Sequence, residues 1–208
     1  LNDLCRRTGE GAVDWLVAAD GANASATGGW PWRTIILGGD LASSLSAAEL
    51  EAVAAHELGH LRGRHRLRYY GLAVLAGLPA FSLVEQAVPS PVGPAHGGAQ
   101  ILWLLLAAPV LQFLLAPVAV SCRRRLELEA DAFAARVADP GKLASALQQM
   151  ASDGDPSARN DRLFGLFHYG YPDLAHRIGL LTAPRPIPAA ATGEQRIKRI
   201  LHSRATGD

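Results

Sequence analysis

Cysteine is scarce. Cys5 and Cys122 are the only two in 208 residues, which excludes a disulfide scaffold and a paired-cysteine zinc site and points to a reducing compartment. Charge is scarce as well: Asp, Glu, Lys and Arg make up 19% of the chain, below the usual ~25%. The 20 basic and 19 acidic side chains nearly cancel, so the basic excess expected of a nucleic-acid binder is missing. A hydrophobic share of 49% excludes a disordered tail. No basic-then-apolar leader opens the sequence, which begins at Leu1 rather than Met, so the expectation is a chain without a signal peptide and with an upstream segment trimmed. The length suits one or two domains with a real core.

The missing charge is concentrated. Between Arg68 and Arg123 the only ionised carboxylate is Glu85. Residues 69–88 and 100–120 are each about 20 residues long, enough to cross a ~30 Å hydrocarbon layer. The stretch between them is uncharged and rich in Pro and Gly, a turn rather than a helix. A hairpin buried in a soluble core is the competing reading, and Pro79, Pro109 and Pro117 would kink either version. A chain of this length has little protein left to surround two helices that are apolar all round. Arg62, Arg64, Arg66 and Arg68 precede the first segment, Arg123 to Arg125 follow the second, and the loop between carries neither Lys nor Arg. By the positive-inside rule both outer ends are cytoplasmic. The expectation is an integral, multi-pass protein of the cell membrane with lipid as one partner.

The rest resembles a body split by that hairpin. Residues 14–19 and 33–37 are short strand candidates separated by a turn region rich in Gly, Ser and Ala. Ser46 with Glu49 three residues on forms a capping box that opens a helix running through His65. A second helix spans Arg123 to Val137 and ends at Pro140-Gly141, followed by a short amphipathic helix from Lys142 to Met150. The organisation expected is therefore 1–68 as a first half, 69–120 as the hairpin, 121–182 as a second half, and 183–208 as a Pro-rich linker with a basic terminal helix.

His56-Glu57-Leu58-Gly59-His60 is the strongest chemical signal. On a helix, histidines at i and i+4 stack on one face about 6 Å apart, close enough to share one metal, with the adjacent Glu57 placed to act on a bound water. The flanking apolar run makes this face a buried one, where two imidazoles need a partner. A catalytic zinc needs a third protein ligand and an open position. The helix that follows the hairpin offers Glu127, Glu129 and Asp131. Glu127 and Asp131 share a face, so that one can bind metal while the other backs a ligating imidazole, and Glu129 points elsewhere. The 33–37 strand, through Thr34, Ile35 and Ile36, is a candidate edge for an extended peptide.

This order of HELGH, apolar hairpin and LELEADAFA resembles the integral-membrane zinc metallopeptidases of the HtpX and type-1 CAAX prenyl endopeptidase kind. The likeness extends to DGANASATGG before the sheet and to PDLAHRIGLL near the C-terminus, roughly Asp14 to Leu181. It implies a mainly α, zincin-like body with a small β-sheet and a transmembrane hairpin inserted between the HExxH and third-ligand helices. It also implies one Zn2+ per chain held by His56, His60 and Glu127, with Asp131 as the paired aspartate. Before its C-terminal Pro the family usually carries a His where this chain has Tyr171; either Tyr171 or His168 would then stabilise the oxyanion, and Arg177 matches the family arginine. The implied activity is zinc-dependent hydrolysis of peptide bonds in membrane or misfolded proteins, with Glu57 as general base and peptides or proteins as substrates. A prenyl-protein endopeptidase, a sensor-transducer metalloprotease and an inactive membrane scaffold are the alternatives. An intact Glu57 speaks against the scaffold.

Overall fold

A computed structural model describes residues 1–29, 32–87, 97–152 and 170–183. The chain is mainly helical with one small mixed sheet. In order come α1 (Asn2–Thr8), β1 (Asp14–Val17), β2 (Ala24–Gly29), β3 (Trp32–Leu37), α2 (Gly39–Ser44), α3 (Ala47–Arg62), α4 (His65–Ala87), α5 (Gly97–Val137), α6 (Pro140–Ser152) and α7 (Leu174–Thr182). His168, the 183–208 linker and terminal helix apart from Ala183, and residues 89–96 of the turn between the apolar segments lie outside the described residues, while Gly97 to Ala99, expected to belong to that turn, open α5 instead.

The sheet corrects one expectation. Its order is β1-β3-β2, with β1 parallel and β2 antiparallel to β3. Thr34, Ile35 and Ile36 therefore sit on the central strand, hydrogen-bonded on both sides, and cannot form an edge for a peptide. The edges are β1 and β2, and β2 is drawn from the stretch that composition marks as a turn. Ala-Ser-Ala-Thr-Gly-Gly has low strand propensity, and pairing with β3 overrides it. Gly28 has φ 83° and lies so close to Trp32 that a side chain there would strike the Trp32 carbonyl.

Leu4, Val13, Ile35, Leu37, Leu41 and Leu45 form one core with the buried face of α3, Phe133 of α5 and Leu143 of α6. The start of α3 follows the sequence rule closely. Ser46 accepts from the Glu49 N–H while the Glu49 carboxylate accepts from the Ser46 N–H at 2.9 Å. Ser145 of α6 also donates to Glu49 at 2.6 Å, and these bonds hold its pKa down at about 2.

Two further differences concern the long helices. The second apolar segment and the Arg123–Val137 helix are one continuous α5 of 41 residues, unbroken at Pro109 and Pro117. Pro140 opens α6 rather than only closing its predecessor, as suits a residue whose missing N–H costs nothing in a first turn. Among the described residues α5 is the one helix long and apolar enough to cross a membrane, and only 11% of its apolar window is buried. Beside it, α4 leaves Val74, Leu75, Leu78 and Leu83 exposed.

Helix α3 crosses α5 at Gly59. A Cβ there would lie 3.1 Å from the Ala130 Cα and 3.2 Å from the Phe133 ring. Gly59→Val should force the helices apart at a cost of ~1–3 kcal/mol, read as a lower unfolding midpoint; an unchanged midpoint would contradict this packing. Ser46→Ala should cost about 1 kcal/mol through the lost cap. Because the folded pKa of Glu49 is depressed, its contribution is present above about pH 4.5 and lost as the pH falls toward 2. A Ser46→Ala variant with the parent's acid-unfolding profile would show that this cap contributes nothing.

Candidate metal centre

Positions −3 and +1 around Gly59 are His56 and His60, and the same positions around Ala130 are Glu127 and Asp131. The crossing therefore brings the two pairs face to face. Nε2 of His56 and Nε2 of His60 lie 3.1 Å apart, and Glu127 Oε2 lies 3.5 Å from the first and 3.7 Å from the second. Ligands 2.0–2.2 Å from a tetrahedral zinc are about 3.4 Å from one another. The three donor atoms thus have the spacing of three corners of such a site, and together they form a group able to hold a metal ion.

Behind His56 stands Asp131. Its Oδ1 lies 2.9 Å from His56 Nδ1, although off the line of the ring N–H, so that Nδ1 has no well-aligned hydrogen bond. Asp131 is fixed from the other side by a bidentate pair, with Arg177 Nε and Nη2 each donating at 2.7 Å. All three side chains are buried. Arg177 is thus a buried partner of Asp131, and not half of a surface salt bridge.

The electrostatics reflect an excess of carboxylate. Burial disfavours a charged His56, yet Asp131 and Glu127, with Glu57 nearby, outweigh it and raise its pKa to about 9. Burial likewise disfavours an ionised Glu127, but His56 and His60 hold it well below the usual carboxylate range. Asp131 is lowered against its own burial by His56 and Arg177. The cluster is arranged to surround positive charge.

A cavity of about 950 Å³ opens beside these groups, lined by His56, Glu57, His60 and Glu127 on one side and by Asn23 to Ala26 of the β2 edge on another. Tyr171 and Arg177 also line it. Tyr171 is 55% exposed, and its hydroxyl oxygen accepts from Arg123 Nη2 at 2.7 Å while the guanidinium lies 4.6 Å from the ring centre.

Two residues here were hidden from the sequence. Arg123 has the flanking position of a membrane boundary, yet its stem packs on buried Gly170 and its head reaches Tyr171. His65, five residues beyond His60, is buried with Nδ1 2.9 Å from His60 Nδ1. Burial, reinforced by His60, lowers its pKa to about 4. Glu129 faces α4 instead of Arg123 to Arg125, accepting from both guanidinium nitrogens of Arg68.

Several known proteins are similar to this chain. The chain is 32% identical over 159 residues to a Protease HtpX homolog of Acaryochloris marina, covering 69% of this chain and 51% of that protein. It is 30% identical over 152 residues to the human CAAX prenyl protease 1 homolog, covering 64% of this chain and 30% of that protein. The crystal structure of S. mikatae Ste24p superposes with a TM-score of 0.71 at 24% identity, over 87% of this chain and 48% of that one, a likeness of fold. The chain thus spans about half or less of the length of these relatives. Residues 8–185, which include every group of the metal centre described above, match Peptidase family M48, and the chain belongs to that family.

Proposed function

We propose that this chain is the catalytic part of a membrane-bound zinc metalloendopeptidase that hydrolyses peptide bonds of membrane or misfolded proteins. The observation that carries the reading is the triangle of His56 Nε2, His60 Nε2 and Glu127 Oε2, whose edges of 3.1, 3.5 and 3.7 Å suit a tetrahedral zinc. His56, His60 and Glu127 would hold one Zn2+ per chain. When bound, such an ion polarises a carbonyl and makes a water acidic enough to ionise near neutral pH.

The protein's own groups supply the rest. Glu57, on the cavity wall beside the histidines, takes the proton from water and returns it to the leaving amine. Asp131, clamped by Arg177, keeps the far side of His56 occupied so that Nε2 faces the metal. Tyr171 donates its phenolic hydrogen to the developing oxyanion, and the bond from Arg123 to the same oxygen makes that hydrogen a better donor. The β2 edge, Ala24 to Gly29, receives the substrate as an added strand, the part first expected of Thr34 to Ile36.

The exposed apolar sides of α4 and α5 support a hairpin in the bilayer, with residues 1–68 and 121–182 forming one body on the cytoplasmic side. Soluble proteins rarely leave so large an apolar surface bare. Leu105, Leu106, Val110, Phe113 and Leu114 are each more than half exposed on α5. Glu127 follows Val120 by seven residues on the same helix, so the metal centre stands about 10 Å beyond the apolar stretch.

Purified protein is expected to carry about one zinc per chain. Glu57→Gln should keep the metal and cut cleavage of unfolded casein by at least ~100-fold, whereas Glu127→Ala should lose metal and activity together. Retained cleavage by Glu57→Gln would remove Glu57 as the base. For topology, a cysteine placed at Ala95 should be labelled from outside intact cells by a membrane-impermeant maleimide; labelling only after lysis would reverse the orientation.

A further inference from the structure

His60 turns Nε2 toward His56 and Glu127, which leaves its other ring nitrogen facing a third imidazole, Nδ1 of His65 at 2.9 Å. Two ring nitrogens at that distance need one proton between them. With the Nε2 lone pair of His60 given to a metal, the proton of His60 is on Nδ1, and His65 must offer an unprotonated Nδ1 to accept it. The proton of neutral His65 is then on Nε2, which lies 3.5 Å from Glu129 Oε2. Glu129 can only accept, and Arg68 donates to both its oxygens. The order of donors is thereby fixed at its two ends, with His60 donating to His65 and Arg68 to Glu129, while the N–H side of His65 faces the Glu129 carboxylate at ion-pair distance.

The backbone aims the ring. Arg64 stands at φ 49°, a left-handed conformation that a residue other than glycine seldom adopts, and it turns the chain so that His65, the first residue of α4, folds back on the end of α3. Gly63 leaves the room: a Cβ there would fall 2.2 Å from His65 Nε2. The ring is 4% exposed and meets that of His60 edge-on, at 88° with centres 4.9 Å apart.

We propose that His65 is a positioning residue of the metal centre, accepting the Nδ1 proton of His60 and so fixing the tautomer that presents His60 Nε2 to the metal; this rests on the zinc-site reading above. The two histidine ligands are then supported by different chemistry. His56 has a carboxylate behind it, clamped by Arg177. His60 has a neutral imidazole, with Glu129, itself held by Arg68, facing the far side of that ring. A further carboxylate against His60 would add negative charge to a site that already holds Glu57, Glu127 and Asp131. A neutral ring directs the proton without adding any.

The test is zinc affinity of the full chain by chelator competition, with the visible spectrum of the cobalt(II)-substituted protein measured alongside. His65→Leu keeps an apolar side chain of moderate size but no acceptor, and should weaken zinc by ~10–100-fold and shift the cobalt bands. His65→Asn restores an acceptor where Nδ1 stood, and should recover most of the affinity and the parent spectrum, a rescue that packing alone would not give. His65→Gln places its amide further out, toward Glu129, and should bind zinc ~10-fold more weakly than His65→Asn. A folded His65→Leu protein with parent affinity overturns the proposal. If that variant does not fold, equal affinities for His65→Asn and His65→Gln overturn it instead. A parent chain that binds no zinc overturns the metal-centre reading itself, so the two failures are distinct.

Discussion

The close crossing of α3 over α5 at Gly59 and Ala130 is the constraint on which the site depends. Each helix brings a pair of polar side chains at −3 and +1 about that point, so a single contact sets all four positions at once. With a Cβ at Gly59 only 3.1 Å from the Ala130 Cα, the crossing leaves no room for a side chain there. That closeness lets short side chains such as Asp131 reach across. The core then acts at a distance: Leu58, Phe133 and Leu143 are buried around the crossing, and their packing keeps the polar face in register without taking part in its chemistry.

Charge is the second constraint. Burying two carboxylates and the His56 imidazole within a few ångströms of the half-buried His60 is costly unless every charge finds a partner. The structure meets this by nesting. Arg177 balances Asp131, Asp131 faces His56, and Glu127 lies between both histidines. What remains is a set of donors that attracts a cation at their centre. Because α5 runs unbroken from the apolar stretch through Glu127 and Asp131, anything that holds the apolar part also fixes these carboxylates in height and rotation.

Much of this was legible in the sequence, and the exceptions have physical reasons. The capping box at Ser46 and the short run of β-branched and aliphatic residues at 34–37 are local signals, and both elements appear where those signals place them. Glu127 and Asp131 share a face because of helical periodicity, and the structure sets that face against His56. β2 was hidden because its residues have no strand preference of their own and pair only once β3 is beside them. The continuity of α5 was masked by two prolines and three arginines that resemble a boundary. His65 gives no periodic signal, since its role depends on a left-handed turn at Arg64 that composition does not announce. The small α1 and α2 are too short to leave a periodic trace.

In the proposed function, His56, His60 and Glu127 hold one zinc with an open position. X-ray absorption at the zinc edge of the purified protein tests it most directly. The expected spectrum is that of two imidazole nitrogens with one or two oxygens at about 2.0–2.1 Å and no sulfur, lost when Glu127 is replaced by Ala. Sulfur in the first shell, or a spectrum unchanged by loss of Glu127, would contradict it.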